Sequence, residues 1–513
     1  MIRLVAAVIT LKMTQSASVD LHSIRKVAVI GAGSGGLIAA NVLKEEGFHV
    51  TIFEKEPNVG GVWKYKEPNQ GSSSTPMYKS LRTNLPKQIM AYSYDNPFPE
   101  TDHSFLTHQN VQSYLENFAE KNSLLPLIRF GRSVESITSE SGGHDNPIYS
   151  ENAVTDDPTE VSLQKKWKLL TKLTVSLPHT ACADQNSNTE DYFDAVVICN
   201  GHYNIPLTPS ISSDALDSFR GDIMHSIDYD GPSAFKGKSV LVVGSKSSGT
   251  DLAREIASVA DAVYASDRHT KLDAATSHGN IHLKPGIQSL NYKKVDDTAA
   301  DSTRRSGLIQ FADQSVAEVD VILWCTGYAY DYPFLLPVKG GDENKPSSRQ
   351  SENPSVKVEN RRKVCNLYQQ IFSISEPTLS FIGLPYSVVP FPLFFMQAKW
   401  IAAVYSGRKK LPSVEEQTEW LRNYEAEIKS KFNGDEEVAI QKFHFLDKAQ
   451  WKYRRFLACS AGLDSEKEMK YIDATEQIYN DTSSIRPAYV GAPDTYRDSE
   501  YSFDNETFEW TRQ

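Results

Sequence analysis

Two sets of closely spaced glycines carry the clearest chemical potential in this chain. Residues 26–54 read KVAVIGAGSGGLIAANVLKEEGFHVTIFE. An apolar run at 27–30 leads into Gly31-Ala32-Gly33-Ser34-Gly35-Gly36, and a helical pattern follows through Leu37, Ala40 and Leu43 until Gly47 stops it. A second apolar run, 49–53, then ends on Glu54. This order suits a dinucleotide. Gly31 permits a tight strand-to-helix turn, Gly33 lets the backbone approach a pyrophosphate, and Gly36 lets the helix lie close on the sheet. The free N–H groups of the first helical turn face the phosphate charges, and Glu54 stands where a carboxylate can accept hydrogen bonds from a ribose.

The second set repeats the first. Residues 239–249, SVLVVGSKSSG, precede a helix with Leu252, Ile256 and Val259 at i, i+4 and i+7. A strand at 262–266 then leads to Asp267-Arg268, and Val319-Asp320-Val321-Ile322-Leu323-Trp324-Cys325-Thr326-Gly327-Tyr328 reads as a buried strand ending in a glycine turn. Two such units imply two dinucleotides. Lys246 occupies the middle position where glycine is usual. Asp267 is the acid expected to hold the ribose of NAD, whereas an Arg such as Arg268 is the better ligand for a 2′-phosphate, so spacing alone leaves the choice between NAD and NADP open.

The elements that must position these turns fit a chain of 513 residues, long enough for two or three domains. The composition, 40% hydrophobic and 23% charged, is that of a globular protein. A net charge of −11 argues against nucleic acid or an anionic membrane surface as the main partner. The five cysteines are scattered without a CxxC pair or metal-ligand spacing, which favours a reducing compartment and no metal. The first residues, MIRLVAAVITLKM, are too short an apolar run for a convincing signal peptide and read as a leader, or as residues before a true start at Met13. The apolar stretch 391–405 carries Gln397 and Lys399 and reads as a buried helix, not a membrane span. A helix is expected over 110–121, strands over 127–137 and 167–177, acidic surface insertions at 139–160 and 183–190, and a charged, Pro/Ser-containing insertion at 339–363. Beyond Gly462 the chain is acidic and Tyr-rich, and reads as a surface wrap or a partly disordered tail.

Taken together, several of these stretches resemble the flavin-containing monooxygenases, particularly the fungal members. They are Gly31–Gly36, the Gly60-Gly61-Val62-Trp63 loop, Thr83-Asn84, the glycine turn at 244–249 and Cys325-Thr326-Gly327-Tyr328. Residues 219–229, FRGDIMHSIDY, match the identifying pattern FxGxxxHxxxY at each fixed position. The related Baeyer–Villiger enzymes usually carry Trp where Tyr229 stands. The resemblance implies an α/β protein of two Rossmann-like domains, the NADPH domain inserted into a larger FAD domain. The expected limits are a leader at 1–23, FAD-domain parts at 24–205 and 326–462, the NADPH domain at 206–325 and a tail at 463–513.

By the same resemblance, NADPH reduces FAD, oxygen gives a C4a-peroxyflavin, and an amine nitrogen or a sulfur attacks it. The flavin carries the hard step, so no Ser/His/Asp triad is needed. Asn84 is the residue expected beside the reacting centre. Cofactor contacts are implied at Gly31, Ala32, Gly33, Ser34, Gly35, Gly36, Glu54, Gly61, Val62, Trp63, Thr83, Asn84, Leu85, Val134, Gly244, Lys246, Ser248, Gly249, Thr250, Asp251, Ser266, Arg268, Thr326 and Gly327. His225 has a structural reading, as a residue fixing a linker against the second domain. The expected partners are a small nucleophilic substrate and oxygen, in the cytoplasm or at the endoplasmic reticulum surface; loose membrane attachment and a homodimer stay open. Two competing readings are a Baeyer–Villiger ketone oxygenase and a non-catalytic flavin-binding scaffold, the latter encouraged only by Lys246. A disulfide reductase of like architecture would need two redox cysteines close in sequence.

Overall fold

The structure is a computed structural model that describes residues 24–67, 75–140, 166–174, 188–209, 219–268, 279–291, 306–335, 356–487 and 493–513. The expected leader, and most of the expected surface insertions, lie outside the described residues.

Strands and helices are labelled in chain order. The first unit is β1 (Lys26–Ile30), α1 (Ser34–Glu45) and β2 (His49–Phe53), followed by α2 (His108–Lys121), β3 (Ile128–Arg129) and β4 (Ala195–Ile198). Next come β5 (Asp222–His225), β6 (Ser239–Val243), α3 (Ser247–Ala257), β7 (Ala262–Ser266), β8 (Ile281–Lys284) and β9 (Val321–Trp324). Then follow β10 (Leu367–Tyr368), β11 (Phe372–Ser373), β12 (Leu379–Phe381) and α4 (Pro390–Tyr405). The last helices are α5 (Val414–Lys431), α6 (Glu436–Lys442), α7 (Ala449–Ala461) and α8 (Glu466–Ile485).

A seven-stranded sheet runs β10-β11-β12-β4-β1-β2-β3, parallel from β12 to β3. A five-stranded parallel sheet runs β8-β7-β6-β9-β5. Val27–Ile30 and Val196–Ile198 are buried whichever face they point to, as expected of strands covered on both sides. The sheets repeat one plan down to their first residues. An Asp just before the third strand accepts a hydrogen bond from the first strand's opening N–H: Asp194 from Lys26 (2.7 Å), Asp320 from Ser239 (2.7 Å).

One large core joins Leu37, Ile38 and Leu43 of α1 to Ile401 and Val404 of α4. The α4 helix is apolar nearly all round, and its Gln397 is fully buried, accepting from the Gly383 N–H (3.1 Å). Lys399 escapes the core by pairing with Glu45 at 3.2 Å. No helix among the described residues is long and apolar enough to cross a membrane.

Two expectations need correction. The strand expected over 127–137 is broken at Gly131, whose φ of 65° turns the chain. Residues before it join the seven-stranded sheet, while Arg132–Glu140 pairs antiparallel with Lys166–Leu173 in a separate three-stranded sheet. The acidic tail is not a loose wrap either. Tyr471, Ala474, Thr475, Ile478 and Thr482 form a buried stripe along α8. Apart from the buried Glu468, its acids lie outside that stripe and are partly paired, as in Arg455 with Asp473 and Glu476, both at 2.6 Å.

Candidate functional site

The two glycine turns are built alike. Gly31 and Gly244 sit at φ +102° and +105°, and each donates its N–H to the end of the second strand of its unit, Phe53 O and Ser266 O, at 2.8 Å. Both conformations favour glycine. Five residues on, a Cβ at Gly36 would lie 1.8 Å from Gly31 O, and one at Gly249 would lie 1.7 Å from Gly244 O. Each helix therefore starts in backbone contact with its strand, which no side chain allows. The residue after the first glycine is tied to the acid closing the unit: Ala32 N–H donates to Glu54 (2.6 Å), and Ser245 N–H (3.2 Å) and hydroxyl (2.6 Å) donate to Asp267. Burial pushes the Glu54 carboxyl up, and the N–H groups of Ala32 and Glu56 oppose that shift.

The middle positions differ in kind. A Cβ at Gly33 would meet only Gly61, at 3.5 Å, an ordinary contact. Nothing inside the protein demands glycine there, so its lack of a side chain leaves room for something outside the fold. Neither α1 nor α3 has a side-chain N-cap, so no capping side chain occupies their first turns, in contrast to the capping boxes of α2 and α5. These observations fit dinucleotides at both turns. Gly60 N–H donates to Ala32 O (3.0 Å), which lays the Gly61-Val62-Trp63 loop beside the first turn. Ser34 accepts at its carbonyl from the Tyr92 hydroxyl (2.7 Å), while Gly35 faces Ile382 and Phe394. Val134, on the three-stranded sheet, packs against the second core, and Leu85 belongs to the large one.

Asn84 stands where the two units meet. Its Nδ2 donates to the hydroxyl of Ser247 (3.3 Å), the first residue of α3. The turn holding Asn84 is rigid: the buried Thr83 hydroxyl donates to Leu85 O (2.8 Å) and accepts from Leu106 N–H (2.9 Å). The tail supports it from behind. Arg486 donates to Asn84 O, and Arg497 Nε donates to Thr83 O at 2.9 Å. Sequence reasoning missed Ser247, Arg486 and Arg497. Ser247 adjoins the second glycine turn and was legible in principle; the two arginines lie some four hundred positions from Asn84 with no motif of their own.

The 219–229 pattern has a structural meaning. Phe219 is buried, and a Cβ on Gly221 or Gly307 would enter its ring. His225 Nδ1 accepts from Ile227 N–H (3.2 Å), leaving Nε2 to donate to Gly327 O (3.2 Å), while burial pulls the imidazole below its usual range and keeps it neutral. Tyr229 donates to Glu255 of α3 (2.7 Å). Gly327 and Thr326 complete the crossing. Leu207 N–H donates to Gly327 O (3.0 Å), the Thr326 hydroxyl donates to Leu207 O, and Tyr328–Ala329 pairs antiparallel with Ile205–Pro206. The pattern therefore binds the two crossing strands and α3 to each other, with no reactive group aimed at the turns.

Two expected cofactor contacts also have partners inside the protein. Ser266 is buried and its hydroxyl donates to Pro285 O (2.6 Å), because the neighbouring chain passes over the end of β7. The Asp251 carboxylate is occupied by Arg497 (2.8 and 3.3 Å), with Arg254 at 3.6 Å. Thr250 also bonds inward, to Ser245 O (2.9 Å). Ser248 and Arg268 are exposed, and Lys246, exposed as well, reaches Phe445.

Comparisons with known proteins agree with this architecture. The family model described as flavin-binding monooxygenase-like matches residues 24–160, 177–275 and 294–450. The flavin-containing monooxygenase FMO GS-OX-like 4 of Arabidopsis thaliana is 31% identical over 493 residues, covering 92% of this chain and 93% of that relative. The structure of S-allyl-L-cysteine S-oxygenase from Allium sativum is similar with a TM-score of 0.72 and 31% identity, over 92% of this chain and 95% of that one. Tmm from Pelagibacter sp. strain HTCC7211, at 21% identity and a TM-score of 0.68 over 94% of this chain and 95% of that one, shares the fold. With two Rossmann-like units that each carry an uncapped glycine turn, and similarity along most of its length, this chain belongs to the flavin-binding monooxygenase-like family of FAD- and NADPH-dependent oxidoreductases.

Proposed function

We propose that the chain oxygenates a soft nucleophile, sulfur before nitrogen, and that it does so at the junction occupied by Asn84. The observation that carries this reading is the Asn84–Ser247 hydrogen bond, which brings the loop of one nucleotide unit to the helix start of the other. Sulfur is placed first because a solved relative with 31% identity over nearly the whole chain is named an S-oxygenase.

In this reading Gly31–Gly36, Glu54, Gly61-Val62-Trp63, Leu85 and Val134 belong to the FAD side. Gly244, Lys246, Ser248, Gly249 and Arg268 belong to the NADPH side. The chain divides at about 24–205, 206–325 and 326–462, the inserted part being the NADPH domain. The bound flavin, once reduced, supplies the oxygen activation. The protein orients and excludes water. The Gly31 and Gly244 turns present helix N-termini to the pyrophosphates. Asn84 offers an amide donor at the junction that cannot itself act as a competing nucleophile. The rigid Thr83 hydrogen bonds hold that amide in place, so that binding energy is not lost to loop motion. Water kept from the junction limits wasteful release of hydrogen peroxide.

The test is a substrate screen with the purified, FAD-loaded protein: S-allyl-L-cysteine and simple sulfides against tertiary amines and cyclic ketones. NADPH consumed, product formed and hydrogen peroxide released are measured separately. Sulfoxide formation matching NADPH consumption is expected. Lactone or ester product from ketones, with none from sulfides, would instead establish a Baeyer–Villiger enzyme. NADPH consumption that yields only peroxide with each class would overturn the assigned substrates.

A further inference from the structure

Lys246 interrupts the glycine pattern of the second turn, and the structure shows how it is accommodated. Its backbone is extended (φ −83°, ψ −172°), as at Gly33 (φ −75°, ψ −173°), so the turn is not strained by a side chain. The side chain reaches away from the helix to the segment after α6, where Nζ stands 4.8 Å from the centre of the Phe445 ring. Lys442, the last residue of α6, places its own Nζ 4.6 Å from the same ring. Two ammonium groups, from parts of the chain nearly two hundred residues apart, thus share one aromatic ring.

Two further cations stand close by. Arg362 donates to Thr326 O (3.3 Å), and a Cβ at Gly327 would lie 3.7 Å from its Nη1. Arg268, just past β7, acts on the Arg362 guanidinium by like-charge repulsion. Burial first, then the neighbouring Lys246, push Lys442 down to about 8. No carboxylate forms a salt bridge with Lys246, Arg268, Arg362 or Lys442 among the described residues. The acid that does favour the charged Lys442, Asp267, is already held by Ser245. Four cations gathered near one carboxylate, itself bonded to Ser245, leave an excess of positive charge that a polyanion would relieve. The ring softens that cost by offering its π face, without neutralising any charge.

We propose that Arg362 and Lys442, from the part of the chain after the inserted domain, complete with Lys246 and Arg268 a two-sided clamp for the phosphates of the nicotinamide cofactor. This rests on the assignment of the second turn to NADPH. It gives Lys246 a role the usual glycine cannot have: the side chain carries charge out of the turn to Phe445 and Lys442. The clamp also explains why a net acidic protein collects basic groups here.

The test is equilibrium binding of 2′,5′-ADP to the FAD-loaded protein by titration calorimetry, at low and high salt, with flavin content measured alongside. The variants are Lys442→Met, Arg362→Met and, as a surface control, Lys431→Met. Losing one charge-assisted phosphate contact corresponds to about a tenfold weakening or more. Each clamp variant is therefore expected to bind about tenfold or more weakly and to show less salt dependence, with flavin content unchanged and the control like wild type. Lys442→Arg keeps the charge and should recover most of the affinity. Wild-type affinity in both Met variants overturns the clamp while leaving the second turn as the NADPH site. If Lys442→Arg binds as weakly as Lys442→Met, the residue acts through packing and the clamp is likewise overturned. If the wild-type protein itself fails to bind 2′,5′-ADP, the assignment of the second turn falls and the clamp with it.

Discussion

Arg497→Ala should both destabilise the protein and loosen its coupling. The Arg497 side chain is 6% exposed and joins three elements: the tail, α3 and the Thr83-Asn84 turn. It makes two hydrogen bonds to Asp251 (2.8 and 3.3 Å) and one to Thr83 O (2.9 Å). Removing one partner of a buried ion pair costs about 3–5 kcal/mol, mostly because the other charge is left in a poor solvent. Asp251 is 18% exposed and keeps Arg254 at 3.6 Å, so the lower end, about 3 kcal/mol, applies. An exposed pair gives the contrast. Lys431 and Glu427 lie 2.6 Å apart but are 53% and 58% exposed. Lys431→Ala should therefore cost only about 0.3–0.5 kcal/mol. Urea unfolding followed by tryptophan fluorescence measures both, and the double variant with Asp251→Asn should cost less than the two single changes added together. Because Thr83 O loses its donor next to Asn84, the fraction of NADPH ending as hydrogen peroxide should rise as well. Wild-type unfolding midpoint together with an unchanged peroxide fraction in Arg497→Ala would refute the view that the tail holds this turn.

Three other outcomes are expected. Gly33→Val should fold but lose FAD, since a first side-chain atom there meets only Gly61 at 3.5 Å and the bulk would lie toward the cofactor; a yellow protein with full flavin content would remove the first turn from the FAD site. Asn84→Ser should keep flavin while product per NADPH falls, because the shorter side chain no longer spans the 3.3 Å contact to Ser247; unchanged coupling would leave Asn84 a turn residue. Glu468, pushed up to about 7 by burial against the partial relief of Arg454, holds its proton in the folded state at pH values where the unfolded chain has lost it. Its folded pKa is raised, so stability should be fullest below about 4.5 and decline as pH rises toward about 7, by up to about 3 kcal/mol. Glu468→Gln should flatten that decline in unfolding measured across pH, and an unaltered profile would show that Glu468 does not titrate there.

Much of this protein was legible one residue after another. A glycine turn is a local object: strand, turn, helix and closing acid lie within about thirty residues and obey the geometry of one βαβ unit. That is why β1, α1, β2 and their counterparts β6, α3 and β7 match what periodicity indicated. The resemblance carried by residues 219–229 pointed to the family, although the pattern by itself does not say what its residues do. Only the folded chain shows Phe219, His225 and Tyr229 binding the crossing strands to α3.

What tertiary structure decided is the pairing of distant residues. Ser266 and Asp251 sit at motif positions where a cofactor contact is expected, and only the folded chain shows that their side chains also bond to Pro285 and Arg497. Composition misjudged the tail because charge counts average over a helix, whereas packing depends on which face the apolar residues occupy, and α8 keeps Tyr471, Ile472 and Ile478 inward. Lys246 is the clearest case. The sequence shows a cation where glycine is usual and allows either a phosphate contact or an idle side chain. That it meets Lys442 over Phe445 follows from the inserted unit lying against the part of the chain that comes nearly two hundred residues later. Local spacing determines a turn; which charges from distant parts of the chain meet is set by how the two units are packed.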